Sequence, residues 1–125
     1  QEIEEKLGVA PIRMLYIPEN MKFQSYKLNE EGHDCIVFYT VNDSILNIRM
    51  YKEDDTRSMV QKLDGEPKEH VLIKSKNIEV PVWELANEEG EKSYVTQFEF
   101  EEGYYFITAM MNQKEFTKIL QNIEI

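Results

Sequence analysis

The chain is poor in the residues that small proteins use for cross-linking and covalent chemistry. It holds one cysteine, two histidines, one tryptophan and five glycines in 125 residues. A single cysteine excludes an intrachain disulfide and any metal site built from several thiolates. Cys35 lies in the apolar run DCIVFYTV, where a small buried hydrophobe is the expected role and a reactive thiol would need an electropositive neighbourhood. The glycines at 8, 32, 65, 90 and 103 are too dispersed for a phosphate-cradling loop of either kind. No Gly-x-Ser-x-Gly turn presents a nucleophilic serine. His33 and His70 lack metal-ligand spacing. His33 precedes Cys35 by two positions, but no third member or oxyanion donor accompanies the pair, so a turn-end role is expected for it. No apolar run approaches the ~20 residues of a membrane-spanning helix, and no stretch of these 125 residues reads as a signal peptide.

Positive charge is scarce as well. Fourteen Lys+Arg stand against 24 Asp+Glu, a net charge of −10. Such a surface repels a phosphate backbone and anionic lipid, so neither nucleic acid nor direct membrane binding is expected of this segment. The acidic clusters Glu30-Glu31, Glu53-Asp54-Asp55, Glu88-Glu89 and Glu101-Glu102 lack the alternating oxygen ligands and central glycine of a calcium loop. Each falls at an expected turn, where solvated charge is the ordinary role. Metals and cofactors are therefore not expected, and neither is an enzyme.

What is present is a strand-forming pattern. The length suits one domain over 1–125, large enough to bury a core without staples. Residues 1–8 suit a short helix or linker, with Ile3 and Leu7 on one side and Gly8 as a stop. Extended pieces are expected near 12–17 and 22–28, split by Pro18-Glu19-Asn20. A hairpin follows, with arms 34–41 and 45–52 around Asn42-Asp43-Ser44. In its second arm Leu46, Ile48 and Met50 alternate with Asn47, Arg49 and Tyr51, the mark of a half-buried strand. The polar stretch 53–69 suits a short helix near 56–63 or an excursion. Strands are expected near 70–75 and 78–86, the second at an edge or bulge because Pro81 removes a ladder donor. Two more are expected near 92–100 and 104–111, joined at Glu101-Glu102-Gly103.

The chain closes on a helix. Asn112 suits an N-cap with Glu115 at capping-box spacing, and Phe116, Ile119, Leu120 and Ile123 fall on one stripe. The strand before it carries large apolar residues at odd and even positions, as a central strand covered on both faces does. The expected fold class is α+β: a single twisted, mainly antiparallel sheet of about six or seven strands with the C-terminal helix on one face. Aromatics concentrate in this half, and Trp83, Tyr94, Phe98 and Tyr105 are candidates for a groove that takes an apolar or extended ligand.

The order of these features resembles a known family. The segments IPENMKF, IVFYTVNDSILNIRMYK and VWELANEEGEKSYVTQFEFEEGYYFITAMMNQKEFTKILQNI are similar to the bacterial domain-of-unknown-function family 4367, over roughly residues 9–125. This chain departs from the family in having Phe98 and Phe100 where a Trp is common, and stretch 53–69 is its own. A more distant likeness, of fold alone, is to the small photosystem-associated and Ran-binding α/β sandwiches. The family resemblance implies an extracytoplasmic domain of a membrane-anchored protein, sometimes with an anti-sigma-like N-terminal part. The start at Gln1 without Met suits a membrane anchor upstream. The expected function is then a non-enzymatic interaction or sensor module, tethered to the cytoplasmic membrane, whose partner is an unidentified protein or a small apolar ligand. A lipid- or peptide-binding carrier is the alternative, and a small hydrolase stands last.

Overall fold

In the computed structural model the described residues are 11–29, 34–52 and 65–125. The expected helix at 1–8, most of the 53–69 stretch, His33, and the clusters at Glu30-Glu31 and Glu53-Asp54-Asp55 lie outside them. The strands are β1 (Arg13–Met14), β2 (Met21–Asn29), β3 (Asp34–Val41), β4 (Ser44–Lys52), β5 (Glu69–Ile73), β6 (Ile78–Ala86), β7 (Lys92–Phe100), β8 (Gly103–Ala109) and β9 (Ile123–Glu124). The helix α1 spans Gln113–Gln121, between β8 and β9.

Seven strands form one antiparallel sheet in the order β2-β3-β4-β8-β7-β6-β5. It consists of two meanders, β2–β4 and β5–β8, each made of neighbours in sequence. They are joined where β8 pairs with β4, Leu46 to Ala109 through Lys52 to Gly103. The fold is the α+β sheet with a C-terminal helix that the sequence pattern predicts, and β8 is its central strand.

The hairpin turns use local chemistry. Val41 pairs with Ser44, so Asn42-Asp43 is a two-residue loop with Asn42 at φ 54°, a left-handed conformation that asparagine tolerates. Phe100 pairs with Gly103 around Glu101-Glu102, and there Glu101 takes the left-handed position at φ 54°. Gly103 serves a different need. A Cβ at that position would sit 2.9 Å from the Tyr105 hydroxyl and 3.1 Å from its ring.

Strand alternation divides the sheet into two unlike faces. One carries Leu46, Ile48 and Met50 from β4, Tyr105, Ile107 and Ala109 from β8, and Val80 and Val82 from β6, all buried. Helix α1 packs on it. Asn112 takes an extended conformation, and its side-chain oxygen accepts from Lys114 N at 2.8 Å and Glu115 N at 3.4 Å. Glu115, expected to complete a capping box, accepts the Tyr16 hydroxyl at 2.6 Å. Phe116, Ile119 and Leu120 are wholly buried.

Ile123 is wholly buried too, but it extends the stripe from a strand and not from the helix. Asn122 caps α1, its N–H returning to Ile119 O at 3.1 Å. The chain then straightens so that Ile123 pairs with Met14. Of the extended piece expected at 12–17, only this short β1 forms a ladder. Together the four apolar side chains contribute about 6–12 kcal/mol before entropy, at ~1.5–3 each.

Pro81 departs from expectation in an instructive way. Strand β6 is second from the edge, between β7 and β5. Pairing with β7 begins only at Val82, however, while β5 pairs along Ile78–Val82. The Pro81 carbonyl accepts the Thr96 hydroxyl at 2.7 Å, so it faces β7. The missing N–H of Pro81 faces the same way, where the ladder has not yet begun.

Candidate functional site

The second face of the sheet differs from the helix-covered one. Along β8 the side chains alternate strictly: Gly103, Tyr105, Ile107 and Ala109 are buried, while Tyr104, Phe106 and Thr108 are half-buried. The strand expected to be covered on both faces is fully covered, among the described residues, on one. Trp83, Gln97 and Asn47 are half-buried on the second face, and Ile45 and Leu85 are exposed.

On this face lies a depression of about 210 Å³, lined by Tyr51, Trp83, Gln97, Glu99 and Tyr104. Phe98 and Tyr105 also border it, from the strands that form its floor. Their own rings alternate to the helix side, where they stack with centroids 5.3 Å apart. Tyr105 is 1% exposed. Burial pushes its hydroxyl pKa up to about 12, with the charge of Glu101 adding to the effect. It is therefore a neutral packing residue at any ordinary pH.

Trp83 is half-buried, with its indole N–H donating to Gly65 O at 3.4 Å. Tyr51 and Tyr104 stack across β4 and β8 at 5.6 Å and 26°. Thus Trp83, Phe98 and Tyr105 of the sequence-predicted groove border one depression, Trp83 from within and the other two from its floor. Tyr94 lies elsewhere. Its ring packs on Phe116 at 6.0 Å, under the helix. The sequence reading missed Tyr51, Gln97, Glu99 and Tyr104. The polar alternation Asn47, Arg49, Tyr51 did place Tyr51 on the less buried face, but only the β4–β8 register brings Tyr104 beside it.

A second cluster sits at the rim of the covered face. The Glu84 carboxylate accepts from Lys68 Nζ, pairs with Lys92 Nζ at 3.4 Å, and accepts the Tyr94 hydroxyl at 3.1 Å. The hydrogen bond from Lys68 holds Glu84 below the usual carboxylate range, helped by Tyr94 and the two ammonium charges against a smaller opposing effect of burial. The same bond raises Lys68. Tyr94 is raised by burial first and by Glu84 second. The group is a charged clasp between Lys68, just ahead of β5, and strands β6 and β7.

Cys35 is wholly buried, and burial pushes its thiol up, with Asp34 adding. Among the described residues no group of three or more His, Cys, Asp or Glu side chains gathers to hold a metal. No helix among them is long and apolar enough to cross a membrane.

No match is found among curated proteins. A family profile does match, over residues 11–123, a span that takes in every described strand from β1 through β8, the helix, and the start of β9. The match thus covers the whole sheet, the aromatic β8 and the capped terminal helix of this chain, and the chain belongs to the family described as "Domain of unknown function (DUF4367)".

Proposed function

We propose that this domain is a non-enzymatic interaction or sensor module, carried outside the cytoplasm by a membrane-anchored bacterial protein. The observation that supports binding most directly is the half-buried aromatic face with its depression of about 210 Å³. Aromatic side chains with one face packed and one face accessible are the usual anchors of recognition surfaces. The charged groups speak for structure over catalysis. Glu84, the carboxylate whose pKa is shifted, is already engaged by Lys68, Lys92 and Tyr94, and it is shifted down, which suits a fixed ion and not a general acid.

The placement outside the cytoplasm rests on the family resemblance. Brief trypsin treatment of intact cells of a bacterium that encodes the domain tests it. Cleavage of the domain while a cytoplasmic marker survives is the expected result, and full protection alongside that marker overturns it.

A second reading, a lipid or peptide carrier, draws on the same depression. Trp83 is the chain's only tryptophan, so its fluorescence reports on this face alone. Titration with a lysolipid below its micelle concentration, and separately with a short apolar peptide, is expected to shift and saturate the Trp83 emission if the domain is a carrier. A flat response to both removes that reading and leaves the protein-partner one.

A further inference from the structure

The two edges of the sheet are finished differently. At one end β5 has five residues and is fastened to the terminal helix. Thr117 Oγ1 donates to Glu69 Oε1 at 2.7 Å, Lys74 N to Gln121 O at 3.3 Å, and Ser75 Oγ to Ile123 O at 2.9 Å. At the other end β2 has nine residues, MKFQSYKLN, nearly all exposed. Among the described residues its outer side has no neighbouring strand. Alternate residues of such an edge turn their N–H and C=O groups outward.

The charge of this edge is the reverse of the molecule's. The chain carries −10, yet β2 holds Lys22 and Lys27 and no acid. Both lysines are exposed, and neither has a carboxylate within ion-pair distance among the described residues. Lys22 pairs with Thr40 and Lys27 with Ile36, so both project from the same face. The nearest acid on β3, Asp34, stands at the far end of the ladder opposite Asn29. Phe23, 59% exposed, projects from the other face and adds apolar area beside Tyr39, its edge-to-face partner at 5.7 Å.

We propose that the outer edge of β2 takes an extended acidic segment of a partner protein as an added strand. Main-chain pairing supplies the common attraction, and the two lysines supply the choice. A second copy is disfavoured at the same edge. Two-fold antiparallel pairing of β2 with itself crowds four lysines onto one face, and like charges across a ladder repel. The bulge between Phe23 and Ser25 sets the spacing. Lys22 and Lys27 match positions 40 and 36 on the neighbouring strand, so carboxylates four apart on the incoming strand meet both. Acids three apart point to opposite faces and do not. This inference is independent of what occupies the Trp83 depression.

The test is a chemical-shift titration of the isotopically labelled full chain with the blocked peptide Thr-Glu-Val-Thr-Val-Glu-Thr. A peptide of the same composition, with its glutamates three apart, is the comparison. Expected are shifts confined to β2 and β3, weaker binding of the comparison peptide, and loss of binding when alternate peptide nitrogens are methylated. The variant K22E/K27E is expected to weaken binding about tenfold, its fold checked by unchanged shifts elsewhere. Should that variant misfold, the two peptides on the unaltered chain still decide the matter. Equal binding of both peptides, shifts centred away from β2, no binding at all, or self-association of the free chain through β2 each overturn the proposal.

Discussion

The two faces of one sheet, built from the same strands, have different fates. On the helix side Ile48, Ile107 and Val82 share one core with Phe116, Ile119, Leu120 and Ile123, and all seven are buried. On the other side Tyr104, Phe106 and Trp83 come from the same strands and are as large and apolar, yet they stay half-buried. The lesson is that apolar content along a strand reports its position in the sheet, not how well each face is covered. A central strand is flanked by two neighbours, and those neighbours' side chains alone cover much of an aromatic ring. The helix accounts for the rest of the difference.

That comparison is broken most directly by one truncation on each face. Phe116→Ala empties a fully buried site under the helix and is expected to destabilise the fold by about 3–5 kcal/mol. Phe106→Ala removes a ring of equal size from the half-buried face and is expected to cost about half as much or less. Urea unfolding of both variants measures this as midpoint shifts at constant slope. Equal shifts would mean that the second face is as closely covered as the first.

Gly103→Ala sharpens the contrast from inside the central strand. The added methyl points to the helix side and meets the ring and hydroxyl of Tyr105 at 2.9–3.1 Å. Tyr105 is locked by burial and by its stack on Phe98, so it has little room to yield. A loss of about 1–3 kcal/mol is expected, as for overpacking elsewhere in cores. A neutral result would show that the tight packing of the covered face stops short of its end.

Much of this arrangement is legible in the sequence, and the limit is set by range. The hairpin arms 34–41 and 45–52 are marked by β-branched alternation around Asn42-Asp43, and the structure places strands at Asp34–Val41 and Ser44–Lys52. The terminal helix is marked by Asn112 and its stripe. These signals act over a few residues. The joining of the two meanders does not, since β4 and β8 meet from opposite halves of the chain and no local pattern records their register. That is why no local pattern reveals the Tyr51–Tyr104 stack or separates Tyr94 from Trp83. Trp83 pairs with Val95 and Glu84 with Tyr94, so parity puts Tyr94 under the helix and Trp83 on the opposite side. Pro81 is a similar case. The sequence shows that one side of its strand lacks a donor, but not that a neighbour begins pairing at the next residue. Ile123 fits helical spacing, yet the pairing with Met14 that claims it comes from the other terminus.

Asn112 is what aims the helix at one face, so its removal tests how the asymmetry is maintained. Asn112→Ala leaves the amides of Lys114 and Glu115 without their acceptor. The expected cost is ~1 kcal/mol, within the 0.5–2 range for such caps. Asn112→Asp, which keeps the acceptor and adds a negative charge at the helix N-terminus, is expected to restore the loss. Thermal unfolding monitored at the helix band by circular dichroism separates the two. If Asn112→Ala is silent, the packing of Phe116 and its neighbours alone orients α1.

The smallest effect is at the rim of the covered face and is best seen through pH. Glu84 has a lowered pKa in the folded chain, chiefly through the hydrogen bond from Lys68. A carboxyl lowered by folding stabilises above its unfolded pKa, and that contribution fades as pH falls toward the folded value. Lys68 is raised by the same bond, so its share is full below the ordinary lysine value and fades only as pH climbs past it. Between the two ranges the clasp is intact. Glu84→Gln is therefore expected to lower the urea midpoint slightly near neutral pH, and the gap to the parent chain is expected to close as pH falls below the ordinary carboxylate range. The residual must be small, because Lys68 and Lys92 are well exposed and water screens both pairs. A difference that persists undiminished in acid would mean that Glu84 acts through packing, and that the covered face is sealed at this corner by shape and not by charge.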